Sequence, residues 1–358
     1  MQESRKLKAS GRTRNCSGVV FSFELPCFFI APRDRLIKLS AVSNDNTLNF
    51  LESTGWGNAA REPLTGDASA RKYLRLRRGG RTAILMDASR LPEILAPFVR
   101  IDTHLRQLGF SAPEILAQDE PNGLLLLEDF GDITFAQLLN AGTDPEKLFA
   151  LATDVLIALH RQPQAAPRDL RVYSPGKMLE DIALFLDWRT PGISGTGRAG
   201  FRKAWREVLP VAHAVPASLL LRDYHAANLM LLPDRDGIRR AGLLDFQDAY
   251  QGPVTYDLVS LLEDARRDVP EDLRKKMIAR YLAQFPSLDR GAFETSLAIL
   301  AALRHTRVLA IFEKLSREGK MDYKRLHSPR VERLLQTALR HPMLAGVKRW
   351  FDEYARQN

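Results

Sequence analysis

Asp223, His225 and Asn228 stand together in the stretch LRDYHAANLM, Leu221 to Met230, between two apolar runs, and Asp245 follows in LLDF, Leu243 to Phe246. Polar groups crowded where both flanks favour burial call for a chemical reason. An aspartate, an asparagine five positions on and a second aspartate beyond a hairpin match the needs of phosphoryl transfer. Asp223 would accept the proton of an attacking hydroxyl. Asn228 and Asp245 would offer hard oxygen ligands to a magnesium ion held against the phosphates of ATP. Taken singly, Asp223 and Asn228 are what turn-capping residues look like. The hairpin between them and Asp245, with a glycine-bearing strand pair upstream, favours the chemical reading. His225 titrates nearest neutrality, but Asp223 already fills the place of the base, so His225 is expected to fix the loop.

These side chains need a scaffold. Asn49 to Gly57 has a short helical pattern, and strands are expected at Arg61 to Leu64, Lys72 to Arg77 and Thr82 to Met86, joined through Gly66 and the Gly79-Gly80 turn as an antiparallel meander. A helix over LPEILAPFVRIDTHLRQLGF stops at Gly109, and strands follow at Glu114 to Ala117 and Leu124 to Leu127. Beyond EDFGD the periodicity predicts helices at Phe135 to Leu139, Pro145 to His160, Met178 to Trp188 and Phe201 to Leu209, then several from Tyr256 onward. HRQPQAAPRDLRVYSPG and TPGISGTGRAG read as loops, and a β-hairpin pairs Leu229 to Leu232 with Ala241 to Leu244. The expectation is an α+β, bilobal fold: an N-lobe over 46–128 with a small antiparallel sheet, a helical C-lobe over 129–358, and a cleft between them.

The chain has 358 residues, is 45% hydrophobic and 27% charged, and carries a net charge of +9. That balance is globular and leaves room for two lobes. The positive charge makes anionic partners plausible, but the arginines are dispersed among acids without a compact basic block, so no nucleic-acid partner is expected. A nucleic-acid binder would rest on charge alone. Residues 1–45 read as a poorly ordered extension: a basic start, then VVFSFELPCFFIAP, too short and too interrupted to span a bilayer, so no membrane association is expected. Cys16 and Cys27, the two cysteines, form no CxxC pair, which fits a reducing, cytoplasmic compartment.

LRDYHAANLM…AGLLDFQDAYQGPVTYDLVSLL resembles the catalytic core of the aminoglycoside phosphotransferase family, small-molecule kinases with a protein-kinase-like fold. LTGDASARKYLRL, AILMDAS, GLLLLEDFGD and LEDIALFLDW further resemble its branch that phosphorylates the anomeric hydroxyl of N-acetylmuramate and N-acetylglucosamine in cell-wall recycling. The resemblance implies ATP and Mg2+ as cofactors, a small-molecule sugar as acceptor, Asp223 as base, Asn228 and Asp245 as metal ligands, and Asp257 as an acid bracing the catalytic loop. Two places depart from the family pattern. Leu221 stands where a histidine often precedes the catalytic aspartate, and Met86 stands where a strand lysine pairs with the phosphates, leaving Arg71 or Lys72 as substitutes.

LTGDAS is the candidate phosphate loop, where Gly66 and small residues such as Ser69 let backbone N–H groups approach phosphate. Backbone around Glu128 is the candidate adenine contact at the hinge. Glu180, with Phe185 and Trp188 on one helix, could line a sugar pocket, although an apolar stripe at this spacing is more often core. GWGNAA lacks a preceding strand, neither GKM is a Walker loop, and PDRDG is no calcium loop. The alternatives are a kinase for an aminoglycoside, choline or homoserine, and a nucleotide-binding pseudokinase that lacks the strand lysine.

Overall fold

A computed structural model describes residues 45–64 and 71–355. Most of the extension, both cysteines, and Gly66 and Ser69 of the candidate phosphate loop lie outside the described residues. The N-lobe starts with helix α1 (Asp45–Ser53) and a five-stranded sheet in the order β1-β2-β3-β5-β4, every pair antiparallel. Its strands are β1 (Ala60–Leu64), β2 (Lys72–Arg78), β3 (Arg81–Asp87), β4 (Ile115–Asp119) and β5 (Leu124–Leu127), with helix α2 (Leu95–Gln107) between β3 and β4. The β2–β3 hairpin turns through Gly79 and Gly80 at φ 53° and 78°, a pair of left-handed conformations that glycine adopts without strain.

Because side chains alternate across a strand, the sheet has two different faces. Leu76, Ala83, Leu85, Leu124 and Leu126 point outward and are buried under Phe50, Leu51 and Trp56. Met86, Leu125 and Leu127 occupy the opposite face, in one buried cluster with Leu95, Phe98, Ile101 and Leu105 of α2. That cluster continues into the C-lobe through Leu229, Leu243 and Phe246. The same apolar mass that holds α2 on the sheet therefore also holds the hairpin leading from Asn228 to Asp245.

The C-lobe comprises helices α3 (Phe135–Asn140), α4 (Pro145–His160), α5 (Pro175–Trp188), α6 (Gly195–Val208), α7 (Thr255–Leu262), α8 (Glu271–Ala283), α9 (Arg290–Arg317), α10 (Met321–Ala338) and α11 (Ala345–Tyr354). Two short strand pairs are set among them: β6 (Ala217–Leu220) with β9 (Tyr250–Pro253), and β7 (Leu229–Leu231) with β8 (Ala241–Leu243). All eight residues of α7 are buried. Helix α9 is long and apolar enough to cross a membrane, yet 83% of its apolar window is buried within the fold, as for a helix at the centre of a helical lobe.

The bilobal α+β architecture is as expected, with two differences of detail. The stretch TPGISGTGRAG is largely helical, because the Ser194 hydroxyl accepts from Gly197 N at 3.1 Å and starts α6 at Gly195 despite its glycines. Ser174 likewise caps α5, which starts at Pro175, three residues before Met178. The β6–β9 pair was not expected either: its strands are separated by 29 residues, outside the reach of hairpin signals, and the segment from Leu221 to Ala249 runs between them.

Candidate active site

The segment after β6 is held by α7. Both oxygens of the buried Asp257 accept backbone N–H groups, Leu221 N at 2.6 Å and Arg222 N at 2.9 Å. Burial pushes Asp257 up to about 7, while those two N–H donors and Arg304 favour its charged form and Asp223 opposes it. Arg222 is thereby fixed at φ 66°, a left-handed conformation for a residue with a Cβ, and its carbonyl accepts from the Ser260 hydroxyl at 3.2 Å. Tyr224 anchors the other side, donating its hydroxyl to the Ala152 carbonyl of α4 at 2.8 Å. Asp223, 6% exposed, sits between these two anchors.

Asn228 closes the loop. Its side-chain N–H donates to the Asp223 carbonyl at 2.9 Å, and its own carbonyl accepts from Leu244 N across the hairpin at 3.1 Å. The second bond places Asp245 beside the loop, at φ 63°. Among the described residues, Arg222 and Asp245 are the non-glycine positions at positive φ, and they flank Asp223 from the two sides of the loop. Backbone strain concentrated in this way is typical of sites where side-chain direction matters more than local stability. One oxygen of Asp245 accepts from Arg71 Nη2 at 2.7 Å and from Gln247 Nε2 at 2.9 Å. Burial first, and the nearby Asp223 carboxylate as well, push Asp245 up to about 7, against the pull of Arg71.

Two buried oxygens here, Asn228 Oδ1 and Asp245 Oδ2, have no hydrogen-bond partner among the described residues. Leaving such groups unpaired is costly. A carboxylate and a carboxamide oxygen at the two ends of one hairpin are donors of the kind magnesium takes, with its remaining positions filled by water and phosphate. The donor set therefore fits that ion. No group of three or more His, Cys, Asp or Glu suited to a metal occurs among the described residues.

His225 is fully buried, and burial together with Arg266 and Arg304 holds its pKa well below the ordinary value, so it is neutral. Its Nε2 lies 3.3 Å from Arg266 Nη1 and 3.5 Å from Asn228 Nδ2, a position that steadies the loop. Phe246 stacks on Phe98 of α2 at 5.1 Å. Glu128 sits at the junction of the lobes, where its N–H donates to the Glu114 carbonyl at 2.7 Å and its carboxylate pairs with Arg235. An adenine contact at the hinge would thus use backbone groups other than the Glu128 N–H. Arg75, 4% exposed, ties β2 to the same junction through Asp129 at 2.8 Å and Asp132 at 2.6 Å.

The structure separates Glu180 from its neighbour. Glu180 is exposed and pairs with Lys177 at 3.4 Å, and Phe185 is core. Asp181, one residue on, is fully buried and meets Arg222 Nη2 at 2.7 Å, Lys177 at 2.9 Å and the Tyr173 hydroxyl at 2.9 Å. Burial raises the Asp181 pKa, but Arg222, Arg307 and Lys177 outweigh it and hold the group below its usual value. Sequence reasoning missed this acid, which links α5 to the residue preceding Asp223. The charges of the buried Arg222, Arg304 and Arg307 all reach Asp223.

Known proteins resemble the chain over most of its length. The model of the phosphotransferase enzyme family matches residues 60–293. An N-acetylmuramate/N-acetylglucosamine kinase of Caulobacter vibrioides is 37% identical over 85% of this chain and 94% of its own length. One from Pseudomonas aeruginosa is 35% identical over 82% of this chain and 89% of its own. Among solved structures, a choline/ethanolamine kinase family protein from Mesorhizobium loti is similar in fold, with a TM-score of 0.57 at 17% identity, covering 82% of this chain and 94% of that one.

Proposed function

Since the chain belongs to the phosphotransferase enzyme family, we propose that it transfers the γ-phosphate of ATP to the anomeric hydroxyl of N-acetylmuramate or N-acetylglucosamine. The likeness to the two curated sugar kinases extends over nearly their whole lengths, and this supports the acceptor. The observation that carries the chemistry is the pair of unpartnered buried oxygens, Asn228 Oδ1 and Asp245 Oδ2, beside Asp223. Asp223 orients the sugar hydroxyl and takes its proton as the bond to phosphorus forms. Asn228 and Asp245 hold magnesium, which when bound neutralises charge on the phosphates. Asp257 and Tyr224 keep the loop from relaxing, so that the carboxylate waits in position.

The surroundings of Asp223 also bear on which acceptor is taken. A polycationic aminoglycoside would call for a wall of acids, whereas the positive charges that reach Asp223 include Arg222, Arg304 and Arg307. A neutral or carboxylate-bearing sugar suits that field. The test is ADP release with magnesium and ATP over a panel of amino sugars, aminoglycosides and amino alcohols, with phosphorus spectra to locate the new bond. Turnover with N-acetylmuramate or N-acetylglucosamine and a phosphorus signal coupled to the anomeric proton is the expected result. Thermal stabilisation by ATP with no ADP release from any sugar would mark a pseudokinase instead.

A further inference from the structure

We propose that Arg71 is the cation that faces the ATP phosphates in this chain, relocated from β3 to the residue leading into β2, and that without nucleotide it stands in for the metal on Asp245. The inference rests on the kinase reading of the site and goes beyond it.

Three observations support the relocation. Met86 is fully buried in an apolar cluster whose α2 members are Leu95, Phe98, Ile101 and Leu105, and Phe246 joins it, so a lysine at that position would be stranded among hydrocarbon. Tyr73 pairs with Met86 across the sheet, and cross-strand partners share a face. Arg71 lies two residues before Tyr73, hence on that same face, with its guanidinium carbon 5.7 Å from the Tyr73 ring. Lys72 is exposed and belongs to the other face. Of the two candidate cations, Arg71 is therefore the one directed at the cleft.

The contact it makes there extends the argument. Arg71 and Asp245 form an ion pair at 2.7 Å with side chains 2% and 4% exposed, between the start of β2 and the end of the catalytic hairpin. Separating such a pair without replacement leaves an uncompensated buried charge. Arg71 uses one Asp245 oxygen and leaves Oδ2 without a partner. A guanidinium offers five N–H donors in a planar fork, which phosphate oxygens can engage bidentately by displacing protein partners. Before nucleotide arrives, a divalent ion alone meets a carboxylate that is already neutralised. Metal and nucleotide then enter together, with the phosphates drawing Arg71 outward as the ion takes its share of Asp245.

The test titrates metal-free ADP, and separately Mn2+ alone, into wild type, Arg71→Gln and Arg71→Lys, with melting curves to establish folding. Glutamine can still hydrogen-bond Asp245 but carries no charge. Arg71→Gln should weaken metal-free ADP by about tenfold or more, with Arg71→Lys in between, as expected for loss of charge-assisted hydrogen bonds. Mn2+ alone should bind wild type weakly and Arg71→Gln more tightly, and the KM for ATP should rise while that for the sugar holds. Metal-free ADP binding Arg71→Gln within about twofold of wild type would overturn the proposal. So would tight binding of Mn2+ alone to wild type, a measurement that needs no variant to fold. No sugar enters these titrations. If wild type releases no ADP with any amino sugar, the acceptor reading fails and the Arg71 result stands; if turnover is normal and Arg71→Gln binds ADP like wild type, Arg71 alone is wrong.

Discussion

Asp223 is held by its backbone, and this makes its carboxylate separable from the fold. Asn228 bonds the Asp223 carbonyl, and Asp257 grips the two preceding N–H groups. Asp223→Asn should therefore melt close to wild type while kcat falls by about 10²- to 10⁴-fold, the usual worth of a positioned base; a near-normal kcat would remove Asp223 from that role. Asp257→Asn should behave in the opposite way. An amide presents one acceptor and one donor to two N–H groups, so a loss of about 1–3 kcal/mol is expected in urea titrations, together with lower activity. At this scale the closeness of Asp223, Asn228 and Asp245 was legible, because a short loop and a hairpin return the chain to the same place. Asp181 was not. Its partners Arg222 and Arg307 come from distant parts of the chain, and one step along a helix turns a side chain by about 100°, which separates the exposed Glu180 from the buried Asp181.

The hairpin β7–β8 is the element that sets the distance between Asn228 and Asp245, and Gly242 is its tightest point. A Cβ there would lie 2.8 and 2.9 Å from ring carbons of Phe130 and 3.1 Å from Leu232. Gly242→Ala should cost about 1–3 kcal/mol through overpacking and raise the KM for ATP, since the hairpin would have to lift away from Phe130. Urea midpoints and initial rates check both effects. This hairpin was readable from its alternating apolar strands and the PDRDG turn. The β6–β9 pair and the starts of α5 and α6 were not, for two physical reasons. Pairing between distant strands leaves no local pattern, and a serine cap lets glycine or proline occupy a first helical turn that composition alone assigns to a loop. The N-lobe meander, whose turns are local, was read to within a residue or two of its strand ends.

Across the whole molecule, burial makes stability depend on pH. Five of the seven histidines, His160, His213, His225, His305 and His327, have pKa values lowered by burial. Their folded values lie below the unfolded ones, so the stability they confer is complete above about pH 6.5 and is lost as the unfolded chain takes up protons on acidification. Asp102, Asp245 and Asp257 oppose this, because burial raises each to about 7 and the folded state protonates first. A difference measurement isolates one group. His160, brought down to about 3, shares a hydrogen bond of 2.8 Å between its Nδ1 and the Tyr281 hydroxyl, a bond that asparagine can reproduce without titrating. Relative to its value at pH 8, wild type should lose about 2 kcal/mol more than His160→Asn by pH 5, read from urea unfolding at each pH. An equal loss in both proteins would show that His160 titrates normally. A last consequence follows from α7, every residue of which is interior. The clasp on the catalytic loop issues from a pin with no outer side, whereas α5 and α10 carry exposed surfaces. Substitutions confined to the exposed faces of those outer helices, away from Asp181, should thus leave any acceptor-free release of ADP from ATP unaltered.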